Sequence, residues 1–241
     1  MKRAERHHLK ENPLATWLAD LRISAWTTRR SLTGIAIVLA VAIVAAGAFA
    51  WQQWRSARAS DLFAAAMAIV EAPVEPAGTA GDGAPTPRYP TETAKLETAV
   101  PRLLEAADAY PRLPQGIAAR YQAAVVLATL GRMEEAGTQY EQVIGLAGGG
   151  IYSRMARLGR AETHLHAGEY PQAIAMLEEE TAAAGTDLPL DGVLMRLGEA
   201  YRLAGRLADA VTAFQRLVDE FPVSGYRFDA ERELDMLGSG P

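Results

Sequence analysis

The 241-residue sequence contains no cysteine. Disulfide bonds, thiolate metal sites, cysteine nucleophiles and a lipid-bearing N-terminal cysteine are therefore all excluded. What the chain does contain is 49% apolar and 22% charged residues, which is an ordinary balance for a globular protein. Much of the apolar share is alanine, and alanine favours helix over strand.

Charge is distributed unevenly along the chain. Up to Trp54 there are seven basic and three acidic side chains, whereas from Arg55 onward there are 17 basic and 26 acidic side chains. The N-terminal arm therefore carries about +4 and the body about −9. Two different surroundings are indicated, and the acidic body argues against binding of nucleic acid.

The longest apolar run extends from Ser31 to Trp54 and contains 24 residues without a charge. A helix of that length spans about 36 Å, compared with roughly 30 Å of membrane hydrocarbon. Arg29 and Arg30 precede the run, and Trp51 and Trp54 close it as interfacial aromatic residues do. The pattern predicts a single transmembrane helix over residues 31–54.

The larger basic cluster lies before this span, so the positive-inside rule places residues 1–30 in the cytoplasm and the rest of the chain outside. Asn12 and Pro13 form a helix start, and the following stripe of apolar residues indicates either an interfacial helix or a partly disordered tail. An alternative to the anchor is a signal peptide cleaved after Ala50, because residues 48–50 have the small-x-small form of a cleavage site.

A short pattern returns three times at intervals of 37 residues, with Gly131, Gly168 and Gly205 each followed five residues later by alanine. In the third copy, small and apolar residues flank Gly205 on both sides: Leu194, Leu197, Gly198, Tyr201, Ala210, Phe214, Leu217 and Pro222. This spacing describes two helices joined by a tight turn, in which Gly205 adopts a positive φ. Pro222 would end the second helix.

These residues resemble the tetratricopeptide repeat, in which Leu-Gly-x-x-Tyr, Gly, Ala-x-x-x-Phe and Pro follow one another through a helix-turn-helix unit. The second copy has His164 at the tyrosine position, and the first lacks the closing proline. A damaged fourth copy precedes them, with Ala99, Leu103 and Ala106 in register and its first helix predicted near residues 57–72. Pro101 is expected to kink or restart the helix that contains it.

The resemblance and the span together predict an all-α fold, with one N-terminal transmembrane helix followed by a helical solenoid of the tetratricopeptide type. The predicted divisions are a basic arm (1–30), the span (31–54), a membrane-proximal helix (55–72), a Pro/Gly-rich linker (73–90) and the solenoid (91–241). A closing amphipathic helix is expected over residues 224–237, with Phe228, Leu234 and Leu237 facing the last repeat.

No catalytic constellation, cofactor motif or small-molecule site is evident in the sequence, and we do not expect an enzyme. His164 and His166 are two residues apart on a predicted helix, so they point to different faces and cannot chelate one metal ion. Residues 178–180 form a run of three glutamates that we expect to be solvated.

The resemblance implies that the first helices of the repeats line a groove for a protein or peptide partner. By position, the groove residues are Tyr121, Val125, Met155, Leu158, Glu162, Met195, Glu199 and Arg202. Some family members hold a free carboxylate with a Lys/Asn clamp, but Tyr121 and Val125 occupy the corresponding positions here. The groove surface could instead pack against the chain's own linker.

The layout resembles that of bacterial membrane-anchored tetratricopeptide proteins, a group that includes the ancillary subunit of the Sec translocon. This resemblance implies an inner-membrane protein with periplasmic repeats, acting as a scaffold in protein export or envelope assembly. The alternative is a structural accessory subunit of a large membrane complex, held through its transmembrane helix.

Overall fold

The computed structural model describes residues 29–74, 88–183 and 189–238, which form nine helices. These are α1 (Arg29–Val70), α2 (Glu92–Ala109), α3 (Pro114–Thr129), α4 (Met133–Ala147), α5 (Ile151–His166), α6 (Tyr170–Ala182), α7 (Leu190–Leu203), α8 (Leu207–Glu220) and α9 (Arg227–Gly238). Extended structure in these ranges is limited to one isolated bridge between Val74 and Tyr89. The predicted all-α fold is confirmed. The predicted interfacial helix, His7 and His8 lie outside the described residues.

The chain divides into two compact units, Met1–Arg55 and Ser56–Pro241. In the first unit, every described side chain from residue 34 to residue 55 is exposed. The rings of Trp51 and Trp54 contact each other with their centroids 5.4 Å apart. Gly34–Val70 is, among the described helices, the one long and apolar enough to cross a membrane, although a signal sequence would have the same character.

The second unit is a series of antiparallel helix pairs. From α2 to α9 each helix packs against the next, and α3 also contacts α5. Three hairpins, α3/α4, α5/α6 and α7/α8, turn at Gly131, Gly168 and Gly205, whose φ angles are 76°, 75° and 75°. The residue after each glycine donates its backbone N–H to a carbonyl oxygen five residues earlier, at 2.9 Å in all three turns. The positive φ predicted for Gly205 is therefore confirmed, and the same glycine cap ends the first helix of each hairpin.

Two of the helix crossings depend on glycine. A Cβ on Gly198 of α7 would lie 2.4 Å from Cε1 of Phe214 in α8, and a Cβ on Gly159 of α5 would lie 2.3 Å from Cζ of Tyr140 in α4. A carbon atom cannot approach an aromatic ring so closely without displacing it. The absence of a side chain therefore sets how near these helices approach.

Helix α2 forms the second half of the damaged repeat. Its buried residues include Ala99, Leu103 and Ala106, and they pack with Phe63 and Ala66 from the part of α1 that lies in the second unit. Pro101 lies on the exposed face within α2, and one helix continues through it. Of the two expected outcomes, the restart is therefore wrong, and the kink stays a prediction. The apolar face of α2 holds the helix together despite the backbone hydrogen bond that proline cannot donate.

Two large hydrophobic clusters and a small one, formed by Ala106, Ala107 and Ala119, fill the second unit. The N-terminal core contains buried residues from Ala66 through Leu103, Leu127 and Val143 to Ala156. The C-terminal core contains buried residues from Ala161 through Leu177, Leu194 and Phe214 to Ala230. The boundary between the two cores falls inside α5.

The closing helix α9 differs in one respect from its prediction. Leu234 and Leu237 pack against the C-terminal core as expected, but Phe228 is 79% exposed, and Ala230 is the fully buried residue of this helix. Helix α9 begins at Arg227, later than predicted, so Phe228 lies in its first turn, and its side chain remains in solvent.

The expectation that the glutamates at 178–180 are all solvated is wrong for Glu180. Its side chain is 4% exposed, and one carboxylate oxygen accepts a hydrogen bond from Nε of Arg154 at 2.9 Å. Glu178 accepts a hydrogen bond from the Tyr201 hydroxyl at 2.5 Å. Glu179, between them, is 66% exposed and pairs with Arg157. Three consecutive glutamates on one helix therefore have three different environments, because successive residues are rotated by about 100° around the axis.

Candidate functional site

The predicted groove residues lie on three first helices of consecutive hairpins. Helix α3 carries Tyr121 and Val125, α5 carries Met155, Leu158 and Glu162, and α7 carries Met195, Glu199 and Arg202. Their shared surface, called the first-helix face below, begins where α3 and α5 are in contact. Tyr121, Val125, Met155 and Leu158 are all half-buried, so each retains part of its apolar surface in solvent.

Three tyrosines form a cluster at the α3 end of this face. The ring of Tyr121 lies between Tyr140 of α4, with centroids 6.0 Å apart, and Tyr152 of α5, with centroids 5.7 Å apart. Both contacts are tilted, which is a favourable geometry for aromatic pairs. We call the rings of Tyr121, Tyr140 and Tyr152 the tyrosine cluster. Val125 packs one turn further along α3, at the edge of the N-terminal core.

Burial raises the pKa values of two phenols in the tyrosine cluster, Tyr121 and Tyr140. It raises the pKa of the Tyr121 phenol above its usual value, and the neighbouring Tyr152 adds to that increase. The pKa of Tyr140 is raised more strongly, first by burial and then by Tyr121 and Glu162. The surroundings of both phenols thus favour the neutral form, which can donate a hydrogen bond.

A cavity of about 220 Å³ opens between α5 and α7. Its wall is mainly apolar, with Leu158 and Val193 in it, and Glu162 and Arg196 supply its charges. Tyr226, from the segment that precedes α9, closes one side, and its ring lies in van der Waals contact with the position a Cβ of Gly192 would take.

Charged groups at this cavity are loosely paired. Glu162 lies 3.8 Å from Nε of Arg196 and 3.8 Å from Nε2 of His166, which is beyond hydrogen-bond distance in both cases. Arg196 makes its closer contact with Glu199, at 2.9 Å. Exposed pairs of this kind contribute little to stability, so their side chains can exchange partners at small cost.

The α7 end of the first-helix face is less open. Met195 is 7% exposed and belongs to the C-terminal core. Nε of Arg202 lies 3.1 Å from a carboxylate oxygen of Glu233 in α9. Tyr121, Val125, Met155 and Leu158 thus keep part of their surface accessible, and Leu158 and Glu162 line the same cavity. On α7, Met195 is buried, whereas Glu199 and Arg202 stay accessible and pair with Arg196 and Glu233.

Four residues of the site were not identified from the sequence: Tyr140, Tyr152, Arg196 and Tyr226. Tyr152 precedes Met155 by three positions, so the helical period alone could have placed it on the same face of α5. Tyr140 lies 37 residues before Leu177 of the next repeat, so the register could have placed it in the core, but its contact with Tyr121 depends on how α3 and α4 pack. Tyr226 gave no signal, because its place follows from the path of the chain into α9.

A wider cleft of about 770 Å³ lies between α4 and α5 and is lined mainly by polar side chains, including Glu134, Glu141 and Arg160. Within the described ranges, no group of three or more His, Asp or Glu side chains is placed to hold a metal ion. His164 instead contacts Glu169 at 2.5 Å, on the opposite side of α5 from the contact of His166 with Glu162.

Stacked helical hairpins with a part-apolar face along their first helices define the class of helical-repeat interaction modules. The family model of the tetratricopeptide repeat-like domain matches residues 31–238, and the chain belongs to this family. Domains with this repeat fold are typically interaction scaffolds for proteins and not enzymes.

Two solved structures are similar to part of this chain. The nearly identical TPR-like repeats of a kinesin light chain from Podosopora anserina share 18% identity, with a TM-score of 0.53 over 59% of this chain and 77% of that one. MamA of Desulfovibrio magneticus RS-1 shares 25% identity, with a TM-score of 0.46 over 60% of this chain and 80% of that one. No curated protein matches the chain. The likeness to the kinesin light chain repeats establishes the fold and nothing about partners.

Proposed function

We propose that this chain is a membrane-anchored extracytoplasmic scaffold that binds partner proteins, in protein export or in assembly of the cell envelope. The observation that carries the proposal is the row of half-buried apolar side chains on α3 and α5, formed by Tyr121, Val125, Met155 and Leu158, each of which keeps part of its surface in solvent. Apolar side chains at successive turns of adjacent helices form a surface suited to the apolar side of a peptide or helix.

The chemistry of this face favours a partner with apolar anchors and few charges. The tyrosine cluster offers aromatic surface and neutral hydroxyl donors, and the cavity beside Leu158 can accept one apolar side chain. Glu162, Glu199 and Arg202 supply both signs of charge along the α5 and α7 side, while Met195 supports the surface from the core. Binding does not require a free C-terminal carboxylate on the partner, because Tyr121 and Val125 occupy the α3 positions where other family members have a clamp for that group.

In this proposal, residues 1–30 form the cytoplasmic arm and residues 31–54 cross the bacterial inner membrane. Residues 55–72 then form the membrane-proximal helix, 73–90 the linker and 91–241 the periplasmic repeats. The exposed apolar side chains of residues 34–54 support the span, and the basic residues before it support the orientation.

Photo-cross-linking tests the binding face directly. A photoreactive phenylalanine replaces Tyr121 in one variant, Leu158 in a second and Val211 in a third, which is an exposed apolar residue on second helix α8. Adducts with the same protein from residues 121 and 158, and none from residue 211, are expected in intact membranes. Adducts of equal yield from residue 211 would count against the first-helix face.

A charge substitution supplies the complementary test. Leu158→Glu places a carboxylate beside Glu162 and is expected to abolish recovery of the cross-linked partner while helicity measured by circular dichroism is retained. Val211→Glu introduces the same charge on α8 and is expected to bind normally.

A structural subunit of a large membrane complex is the competing function, and the exposed side chains of residues 34–54 could serve it by contacting other membrane helices. Deletion of residues 1–54 separates the two functions. A soluble fragment that still recovers the partner supports the scaffold, whereas loss of every association supports the subunit.

A further inference from the structure

Helix α5 belongs to both hydrophobic cores of the repeat domain. Ala156 is buried in the N-terminal core, and Tyr152 packs against that core. From residue 158 onward, Ala161 is buried in the C-terminal core, and Leu158 and Leu165 pack against it. Each half of the domain therefore has its own apolar interior, and the two interiors meet along a single helix.

A layer of ion pairs replaces apolar packing between the first half of α5 and the end of α6. Glu180 is 4% exposed and contacts Arg154 at 2.9 Å and Arg157 at 3.8 Å. Arg157 also donates a hydrogen bond to Glu179. These four side chains, Arg154, Arg157, Glu179 and Glu180, are called the charged layer below.

The 37-residue register shows what the charged layer replaces. Glu180 corresponds to Val143 in the preceding repeat and to Leu217 in the following one, and both of those side chains are fully buried. Arg157 corresponds to the buried Leu194 of the last repeat and to the buried Arg120 of the preceding one, which bonds to Asp108 of α2 and to two glutamines of α4. The α5/α6 hairpin thus carries an ion pair where the last hairpin carries two leucines.

The opposite side of α5 is also polar, but in its second half. The guanidinium of Arg160 lies over Gly137 of α4, where a Cβ would be 2.3 Å from Nη1, and its Nε is 3.8 Å from Glu141. Nε of Arg160 and Nη2 of Arg154 are buried atoms without a hydrogen-bond partner in the described part of the chain. Toward α6, α5 therefore packs through the charged layer and, from Leu158 onward, through apolar side chains. Toward α4, the close contact of Gly159 with the ring of Tyr140 continues the apolar packing beside Arg160.

Apolar packing between helices is dense and resists displacement, because side chains interlock at close to crystalline density. A buried ion pair contributes little net stability compared with apolar residues of similar volume. In repeat proteins, the stability of each junction depends on its nearest-neighbour contacts alone. A junction built from ion pairs is therefore more compliant than the α7/α8 junction, where Leu194 and Leu217 occupy the same register.

We infer that the repeat domain consists of two rigid halves, one around each core, that rotate relative to each other about α5, with the charged layer as the yielding contact. The rotation changes the angle between the α3 and α7 parts of the first-helix face. This inference concerns the mechanics of the fold and stands whether or not that face binds a partner.

Spin-label distances in the full-length chain, in lipid nanodiscs, test the rotation, and the absence of native cysteine makes paired labelling simple. Glu97→Cys with Gln215→Cys spans the two halves, on α2 and α8. Glu97→Cys with Glu134→Cys lies within the first half, and Gln172→Cys with Gln215→Cys lies within the second. All four positions are exposed helical residues.

The expected result is a broader distance distribution for the spanning pair than for either pair within one half. Equal widths for all three pairs in the native chain would overturn the inference. This comparison does not depend on any core substitution.

The role of the charged layer is tested by making it apolar, with Arg154→Met, Arg157→Leu and Glu180→Leu combined. The distance distribution of the spanning pair is expected to narrow to the width measured for the pairs within one half. The matched control, Arg216→Leu with Glu220→Leu, removes an exposed 2.8 Å ion pair from α8 and is expected to leave the width unchanged. If both sets of substitutions narrow the distance distribution of the spanning pair equally, the charged layer is not the contact that yields during the rotation. If the triple variant loses its helical circular dichroism, the comparison of native pairs alone decides the inference.

Discussion

Gly198 shows how a single missing side chain sets a helix crossing. The ring of Phe214 occupies the space where a Cβ would stand, with 2.4 Å between the two carbon positions. Phe214 is itself fully buried, so it has no free volume into which to move. We predict that Gly198→Ala lowers the free energy of unfolding by about 1–3 kcal/mol, the usual cost of overpacking. Urea unfolding followed by circular dichroism measures this change.

Gly145 provides the matched control, because it also lies inside a helix but has no atom within 4 Å of the Cβ position. Gly145→Ala is expected to raise the free energy of unfolding by about 0.5–1 kcal/mol, since alanine loses less conformational entropy than glycine in a helix. A loss of stability in both variants, of similar size, would contradict the steric explanation for Gly198.

Tyr201 predicts a specific dependence of stability on pH. Burial, followed by the hydrogen bond to Glu178, raises the pKa of this phenol from 10.0 to about 12. The folded state therefore favours the neutral phenol, and this contribution to stability is complete below pH 10 and is lost between pH 10 and about 12. We expect Tyr201→Phe to reduce the fall in unfolding free energy across this interval. An unchanged slope in urea titrations would show that Tyr201 does not contribute.

Single residues also show where prediction from sequence stops. Gly205 was predicted correctly because a positive φ is a local property of the turn. Glu180 was predicted incorrectly because its burial depends on Arg154 of another helix, 26 positions away. Phe228 was assigned to the core by its apolar character, although its exposure follows from the residue at which α9 begins.

Among the structural elements of the repeats, the hairpin turn is reproduced most closely from one copy to the next. Its three copies share a glycine φ within one degree and the same 2.9 Å hydrogen bond. We predict that Gly205→Val costs about 1–2 kcal/mol or more, because an L-residue meets a steric penalty in the left-handed region. Gly205→Asn is expected to cost less, since asparagine tolerates that conformation.

Thermal and urea unfolding of the two Gly205 variants measure the difference. The position has no neighbouring atom within 4 Å of a Cβ, so the backbone conformation and not crowding distinguishes them. Equal destabilisation by valine and asparagine would contradict a cost that arises from φ.

Helix pairing could be predicted from sequence, whereas contacts between pairs could not. The 37-residue interval specifies which residues face each other within a hairpin, because both helices belong to the same repeat. The tyrosine cluster instead joins α3, α4 and α5, and the cavity joins α5, α7 and the segment before α9. Such contacts depend on the stacking of successive repeats, which no local pattern in the sequence specifies.

At the scale of the whole molecule, the repeat period does not make the domain uniform. The last hairpin has leucine at 194 and 217, whereas the α5/α6 hairpin has the ion pair of Arg157 and Glu180 in the same register. The same repeat pattern thus supports an apolar junction in one place and a charged junction in another. Family membership identifies the repeated hairpin, but the individual side chains decide how stiff each junction is.

Membrane topology is the remaining prediction about the whole chain. The span proposed for residues 31–54 and the basic arm before it place residue 8 in the cytoplasm and α2 outside. Because the chain has no cysteine, His8→Cys and Glu97→Cys each provide a single reactive site for a membrane-impermeant maleimide. In intact spheroplasts we expect labelling of Glu97→Cys alone, and labelling of both variants after permeabilisation. Labelling of His8→Cys in intact spheroplasts would contradict the orientation.

Release of a soluble protein whose N-terminal sequence begins at Trp51 would instead support the alternative of a signal peptide cleaved after Ala50.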